Sequence, residues 1–172
     1  MHDSFGPRFL LSLSVNCAIL SQQNKTRTGE IKLLKTILFG GETGLSYTAN
    51  AGLALLRTFT GVALAFAHGF SKVPPGEGLI TRAGELGFPM PILFAWAAGL
   101  SEFIGGMLLA LGFLTRISSF FIACTMLTAL IGVHGADPFQ KQELAFMYFF
   151  VAIAFLLKGA GDWSVDSFLR KQ

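Results

Sequence analysis

Four long apolar stretches dominate this chain and constrain its fold more than any motif does. They run from about Ala49 to Ala67, Met90 to Leu114, Ile117 to Val133 and Glu143 to Leu157. A bilayer core about 30 Å thick is crossed by a helix of about 17–25 residues, so each stretch is long enough, or nearly so, to span it. The last is the shortest and spans with Lys158 snorkelling to the interface. The expected fold class is an all-α membrane protein, an antiparallel bundle of four transmembrane helices. Composition agrees, with 52% hydrophobic and 13% charged residues, where soluble domains carry about 25% charged.

Other classes fall away. The net charge of +3 lacks the basic–aromatic interleaving that grips nucleic acid, and reads as topological charge beside a membrane. Cys17 and Cys124 stand far apart with no CxxC pair, which argues against a dithiol–disulfide enzyme and against a thiolate zinc site. The chain holds no Walker loop, dinucleotide fingerprint, haem-attachment motif or nucleophile–base motif.

Residues 1–48 read as a polar N-terminal tail, disordered or interfacial, and residues 49–168 as the membrane domain. The run Phe9–Leu20 is too short to span. As a signal peptide it lacks an A-x-A cleavage site, and the residues before Cys17 make a poor lipoprotein site. The stretch IKLLKTILFGG from Ile31 looks more like a natural N-terminus, so disorder or loose membrane contact is expected up to about residue 30. The segments HGFSKVPPGEGLITRAGELGFP and HGADPFQKQ read as loops. With the N-terminus inside, the cytoplasmic segments hold Arg8, Lys25, Arg27, Lys32, Lys35, Arg116, Lys158, Arg170 and Lys171, against Lys72, Arg82 and Lys141 outside. This bias predicts both termini on the cytoplasmic side.

Two charges interrupt the spans: Arg57 in the first and Glu102 in the second. An ionisable group at bilayer depth costs at least about 2.5–3.5 kcal/mol, so such residues face a partner or a wet cavity rather than lipid. Counting about 1.5 Å per residue along oppositely directed helices predicts similar depths for the two, and hence a buried pair. Ala95, Ala98, Gly99, Gly105 and Gly106 around Glu102 form a small-residue packing face. Such a pair either fixes helix register or offers a protonatable carboxylate whose arginine keeps it ionised or holds an anion.

A second group gathers at the outer end: His68 closes the first span, His134 the third, and Glu143 opens the fourth. Lys72 and Asp137 lie nearby in loops, while Phe146 and Phe150 lie one and two turns below Glu143. Two imidazoles and a carboxylate suit proton relay or hydrogen bonds to quinone carbonyls. They also suit plain capping of helices at the water interface. The wide sequence separation lacks the compact spacing of a metal motif, so no metal site is expected.

At these residues the chain resembles the DoxX family of small bacterial membrane proteins. The likeness rests on RTFTGVALAFAHGFSK, SEFIGGMLLALGFLTR, His134 and ELAFMYFFVAIAFLLKGAGDWSVD, in that order, and covers about residues 50–168. It implies a four-helix bundle in the bacterial inner membrane. Relatives are linked to quinone-coupled oxidation of reduced sulfur compounds, to oxidative-stress complexes, and to catechol and quinone resistance. The resemblance carries no agreed catalytic residue set. Two functional classes stay open. One is a redox-associated subunit that handles a quinone or similar small hydrophobic molecule with a partner oxidoreductase. The other is a non-enzymatic assembly factor or small-solute permeation protein. Homo-oligomerisation is compatible with either.

Overall fold

Each apolar stretch is a long helix, but the helix ends depart from the hydropathy boundaries in ways that matter for the site. The computed structural model describes residues 22–23, 25–31, 33, 35, 39–41 and 44–171. The expectation for the run Phe9–Leu20 lies outside the described residues. The chain divides into two units, Met1–Ile37 and Leu38–Gln172. In the first, described residues between 22 and 35 are helical and exposed. The rest concerns the second.

Helix α1 spans Tyr47–Lys72. It starts where Ser46 Oγ accepts a hydrogen bond from the Ala49 amide at 3.3 Å, satisfying one of the free N–H groups of a helix start. It is α-helical to Ala63, widens to a π-helix over Leu64–Gly69 and closes in a 3-10 turn at Phe70–Lys72. Extended Val73 and the prolines Pro74 and Pro75 stop it. Helix α2, Glu77–Glu85, is short. Helix α3, Pro91–Leu111, opens on a proline, which needs no N–H there, and ends at left-handed Gly112 with φ 67°. Helix α4, Thr115–Val133, also turns π-helical, over Ala129–Val133. Helix α5 covers Phe139–Lys158 and α6 covers Val165–Lys171. Helices α1, α3, α4 and α5 are long and apolar enough to cross a membrane, and no strand occurs among the described residues.

Glycine sets the closeness of α1 and α3. Gly61 lies on Gly106 and Ala110, and Gly69 on the Glu102–Phe103 backbone; a Cβ at either would collide with the α3 main chain. Further along, Gly99 lies against the Lys72 carbonyl. Thr58 Oγ1 donates to the Ala110 carbonyl at 3.4 Å. Contacts thus fall from Ala110 to Gly99 on α3 as they rise from Thr58 to Lys72 on α1, so these helices run in opposite directions. Lipid supplies no hydrophobic force between helices, and close backbone packing takes its place. Leu64, Leu109, Ile122, Met126, Ala152 and Phe155 form the buried centre. Phe59, Ile131 and Leu157 are more than two-thirds exposed, at 74%, 71% and 73%. An apolar outer surface of that kind suits lipid.

After α5 the chain folds back beneath α1 and α4. Asn50 and Asp162 exchange two hydrogen bonds: the Asn50 amide donates to Asp162 Oδ2 at 3.1 Å, and the Asp162 N–H donates to Asn50 Oδ1 at 2.9 Å. The Asn50 bond, and after it the Leu45 amide, hold the Asp162 carboxyl below the usual range against the opposing effect of burial. Arg170 Nη1 donates to the carbonyls of Phe39 and Gly41. Phe39 and Gly41, within the stretch expected to be a tail, therefore bond to the C-terminal end of the bundle domain through their carbonyls.

Candidate ligand cavity and its buried ion pair

Arg57 and Glu102 do not pair, which corrects the expectation drawn from depth. The glycine contacts set Glu102 level with Gly69, about 18 Å beyond Arg57 at 1.5 Å per residue. Arg57 lies instead beside Gly112, at the far end of α3. The depth count took the inner ends of the two spans as level, whereas they are staggered: Arg57, ten residues into α1, lies beside Gly112, just beyond the last residue of α3.

Each charge has its own partner. Glu102, 3% exposed, accepts two bonds from Lys72 Nζ, at 2.7 Å on Oε1 and 2.6 Å on Oε2. Lys72 reaches it because α1 continues through its π and 3-10 turns, and because Gly69 and Gly99 carry no Cβ to hold the backbones apart. Arg57 donates through Nη2 to the Trp163 carbonyl at 3.0 Å and through Nη1 to the Ala160 carbonyl at 3.5 Å. It feels the field of Asp166. The Asp166 carboxylate accepts from the amides of Leu114 at 2.7 Å and Thr115 at 2.9 Å, capping α4 from a distant part of the chain. Arg57 thus ties the returning C-terminal segment to the bundle. Glu102 belongs to a separate place.

That place is a cavity of about 510 Å³ between α2, α3 and α4. Its apolar wall includes Leu79, Leu86, Phe121 and the stacked rings of Phe88 and Phe94, whose centroids lie 4.3 Å apart. Its polar groups are Lys72, Arg82, Ser101, Glu102, Cys124 and His134, with Thr125 and Thr128. Ser101 is 8% exposed, and its hydroxyl has no hydrogen-bond partner. The buried Thr115 and Ser119 hydroxyls are also unpartnered, but of the three only Ser101 lines the cavity. Apolar walls with a few convergent polar groups are the usual make-up of a small-molecule site.

Of the outer group read from the sequence, His134 and the neighbouring Lys72 line this cavity, whereas His68, Glu143, Phe146 and Phe150 do not. Its Nδ1 lies 2.8 Å from Asp137 Oδ2, and that bond is the first cause holding the Asp137 carboxyl below its usual range. His68 packs edge-on against Tyr148 at 5.6 Å instead. Glu143 is exposed. Phe146 and Phe150 stack on one another at 6.3 Å and continue to Phe139 along α5. Sharing a depth did not give these residues a common cavity. Lys72, Arg82 and Ser101 carry signals in the sequence that hydropathy alone does not weigh. Lys72 stands four residues after His68, one helical turn on, and Ser101 directly precedes Glu102. Among the described residues no group of three or more His, Cys, Asp or Glu side chains is placed to hold a metal ion.

Four apolar spans, an ion pair on buried Glu102 and a partly open cavity beside it define a small polytopic helical membrane protein. The chain belongs to the DoxX family, whose model matches residues 52–135. It is 34% identical over 121 residues to "Putative oxidoreductase CatD" of Bacillus subtilis, covering 70% of this chain and 88% of that protein. It is 36% identical over 90 residues to "Inner membrane protein YphA" of Escherichia coli, covering 52% of this chain and 64% of the relative. A Haemophilus influenzae protein without an assigned function is 32% identical over 96 residues, covering 51% of this chain and 69% of that protein. No solved structure matches the chain.

Proposed function

We propose that this protein is a redox-associated inner-membrane subunit that takes a quinone or similar small hydrophobic molecule into the cavity and works with a partner oxidoreductase. The observation that carries this reading is the cavity of about 510 Å³, where aromatic walls meet the unpartnered Ser101 hydroxyl and the Lys72–Glu102 pair. Phe88, Phe94 and Phe121 offer ring faces to a flat apolar body. Lys72, Ser101 and His134 offer donors to ring oxygens, and Glu102 and His134 are groups that hold or release a proton. A bound quinone would supply paired electron and proton transfer, while the protein supplies binding, orientation and exclusion of water. A second redox group must exchange the electrons, hence the partner. The oxidoreductase name carried by the Bacillus relative agrees with this reading.

The test is quinone retention by the full chain in nanodiscs. A soluble naphthoquinone should bind above empty discs, and Phe94→Ala or Lys72→Met should weaken it at least about tenfold, which is about 1.4 kcal/mol. If binding equals that of empty discs, the redox reading falls. Solute accumulation in proteoliposomes without redox change would then favour permeation. The Lys and Arg bias further supports both termini on the cytoplasmic side. Reporter fusions after Gly76 and at the C-terminus should report opposite faces, and signals from one face would refute this orientation.

A further inference from the structure

The charges that line the cavity do not cancel. Lys72 and Glu102 neutralise one another through two short bonds. His134 is held by Asp137, whose other oxygen lies 3.6 Å from Lys141. That leaves Arg82, which projects from α2 and lines the same cavity as the phenylalanines. Arg82 is exposed, and among the described residues no hydrogen bond or ion pair engages its guanidinium, so the cavity is lined by one positive charge that has no protein partner. An anion taken from water into an apolar-walled site needs a counter-charge. A guanidinium is well suited, being weakly hydrated and able to present two parallel donors to one anionic group. The unpartnered Ser101 hydroxyl, in a residue only 8% exposed, separately calls for a polar atom on a ligand.

We propose that the cavity selects aromatic molecules bearing a single negative charge, with Arg82 reading the charge and Ser101 a neutral oxygen of the same ligand. This rests on the cavity being the ligand site. The quinones and phenols favoured would be those ionised at neutral pH, such as hydroxylated quinones, rather than their neutral alkylated counterparts. A lipid phosphate offers the same anionic chemistry, and the experiment separates the two sources.

Equilibrium dialysis of the full chain in phosphatidylcholine nanodiscs, with empty discs subtracted, compares two probes of nearly equal shape. 2-Hydroxy-1,4-naphthoquinone is an anion at neutral pH, and its 2-methoxy analogue is neutral. The anion should bind at least about tenfold more tightly, equivalent to about 1.4 kcal/mol. Arg82→Gln, at an exposed position, should bring the ratio to within about twofold by weakening the anion alone. Ser101→Ala should weaken both probes together. Equal affinities in the unaltered protein, or a preference that survives Arg82→Gln, would overturn the assignment while leaving the cavity reading intact. A preference abolished by adding phosphatidylglycerol to the discs would assign Arg82 to a lipid headgroup and overturn it as well. If neither probe binds above empty discs, the cavity reading fails and this assignment with it.

Discussion

Lys72→Met should destabilise the bundle by about 3–5 kcal/mol, because it strands the Glu102 carboxylate in a site that is 3% exposed. Removing one member of a buried pair leaves an uncompensated charge. Removing both with apolar replacements of similar size leaves none. Lys72→Met combined with Glu102→Leu should therefore recover most of the loss. Reversible unfolding in mixed micelles measures all three variants. The expected coupling is well above the roughly 0.3–0.5 kcal/mol within which independent sites add. Arg57→Met combined with Glu102→Leu serves as the control and should show no such coupling, since those residues bond elsewhere. Additive losses for Lys72 and Glu102 would mean that the two bonds of 2.6 and 2.7 Å contribute nothing specific.

The spans were legible because membrane hydropathy is a strong signal: apolar runs of the right length, punctuated by Gly and Pro, mark four helices. Two charges in apolar runs also marked Arg57 and Glu102 as interior residues, and both are 3% exposed. Their partners were not legible, for a definite reason. Hydropathy ends the first helix at Ala67, yet His68, Ser71 and Lys72 continue it through a widened turn and a 3-10 closure. That extension moves Lys72 from a nominal loop onto Glu102. The π-helical turn changes which face later residues present, and no periodicity rule for a regular α-helix anticipates it. Arg57 poses the complementary problem. It bonds carbonyls of Ala160 and Trp163, and main-chain acceptors in a returning loop leave no trace in residue type. The GDWSVD segment carries the one trace of that return, since polar residues so close behind the last span need partners of their own. The sequence marks Lys72, Glu102 and His134 singly but not the cavity they share, because one of its walls is α2, whose Gly-rich and Pro-flanked composition reads as a loop.

Asp166→Ala should cost about as much as breaking the Lys72–Glu102 pair, at the opposite end of the bundle. Asp166 is 4% exposed, and its carboxylate accepts the Leu114 and Thr115 amides at 2.7 and 2.9 Å. These are among the N–H groups that a helix start leaves free, and Leu114 sits at a left-handed φ of 48° that makes a local side-chain cap impractical. Leaving a buried donor unsatisfied costs about 1–3 kcal/mol, and the loss of the nearby negative charge falls on Arg57, itself buried. A loss of about 3–5 kcal/mol is expected for Asp166→Ala, and a smaller one for Asp166→Asn, which keeps one acceptor oxygen. Arg57→Met in the Asp166→Ala background should add less than it does alone, because the two residues secure the same returning segment. Limited proteolysis should show the same order, with cleavage beyond Lys158 accelerated most in Asp166→Ala. Naphthoquinone retention, measured under conditions where the variants stay folded, should not change. Glu102 lies about 15 Å along α3 from Gly112, where Asp166 docks. If Asp166→Ala abolished retention in a folded protein, the two ends of the bundle would be coupled, and the separation between a structural Arg57 cluster and the proposed ligand cavity at Lys72 and Glu102 would be wrong.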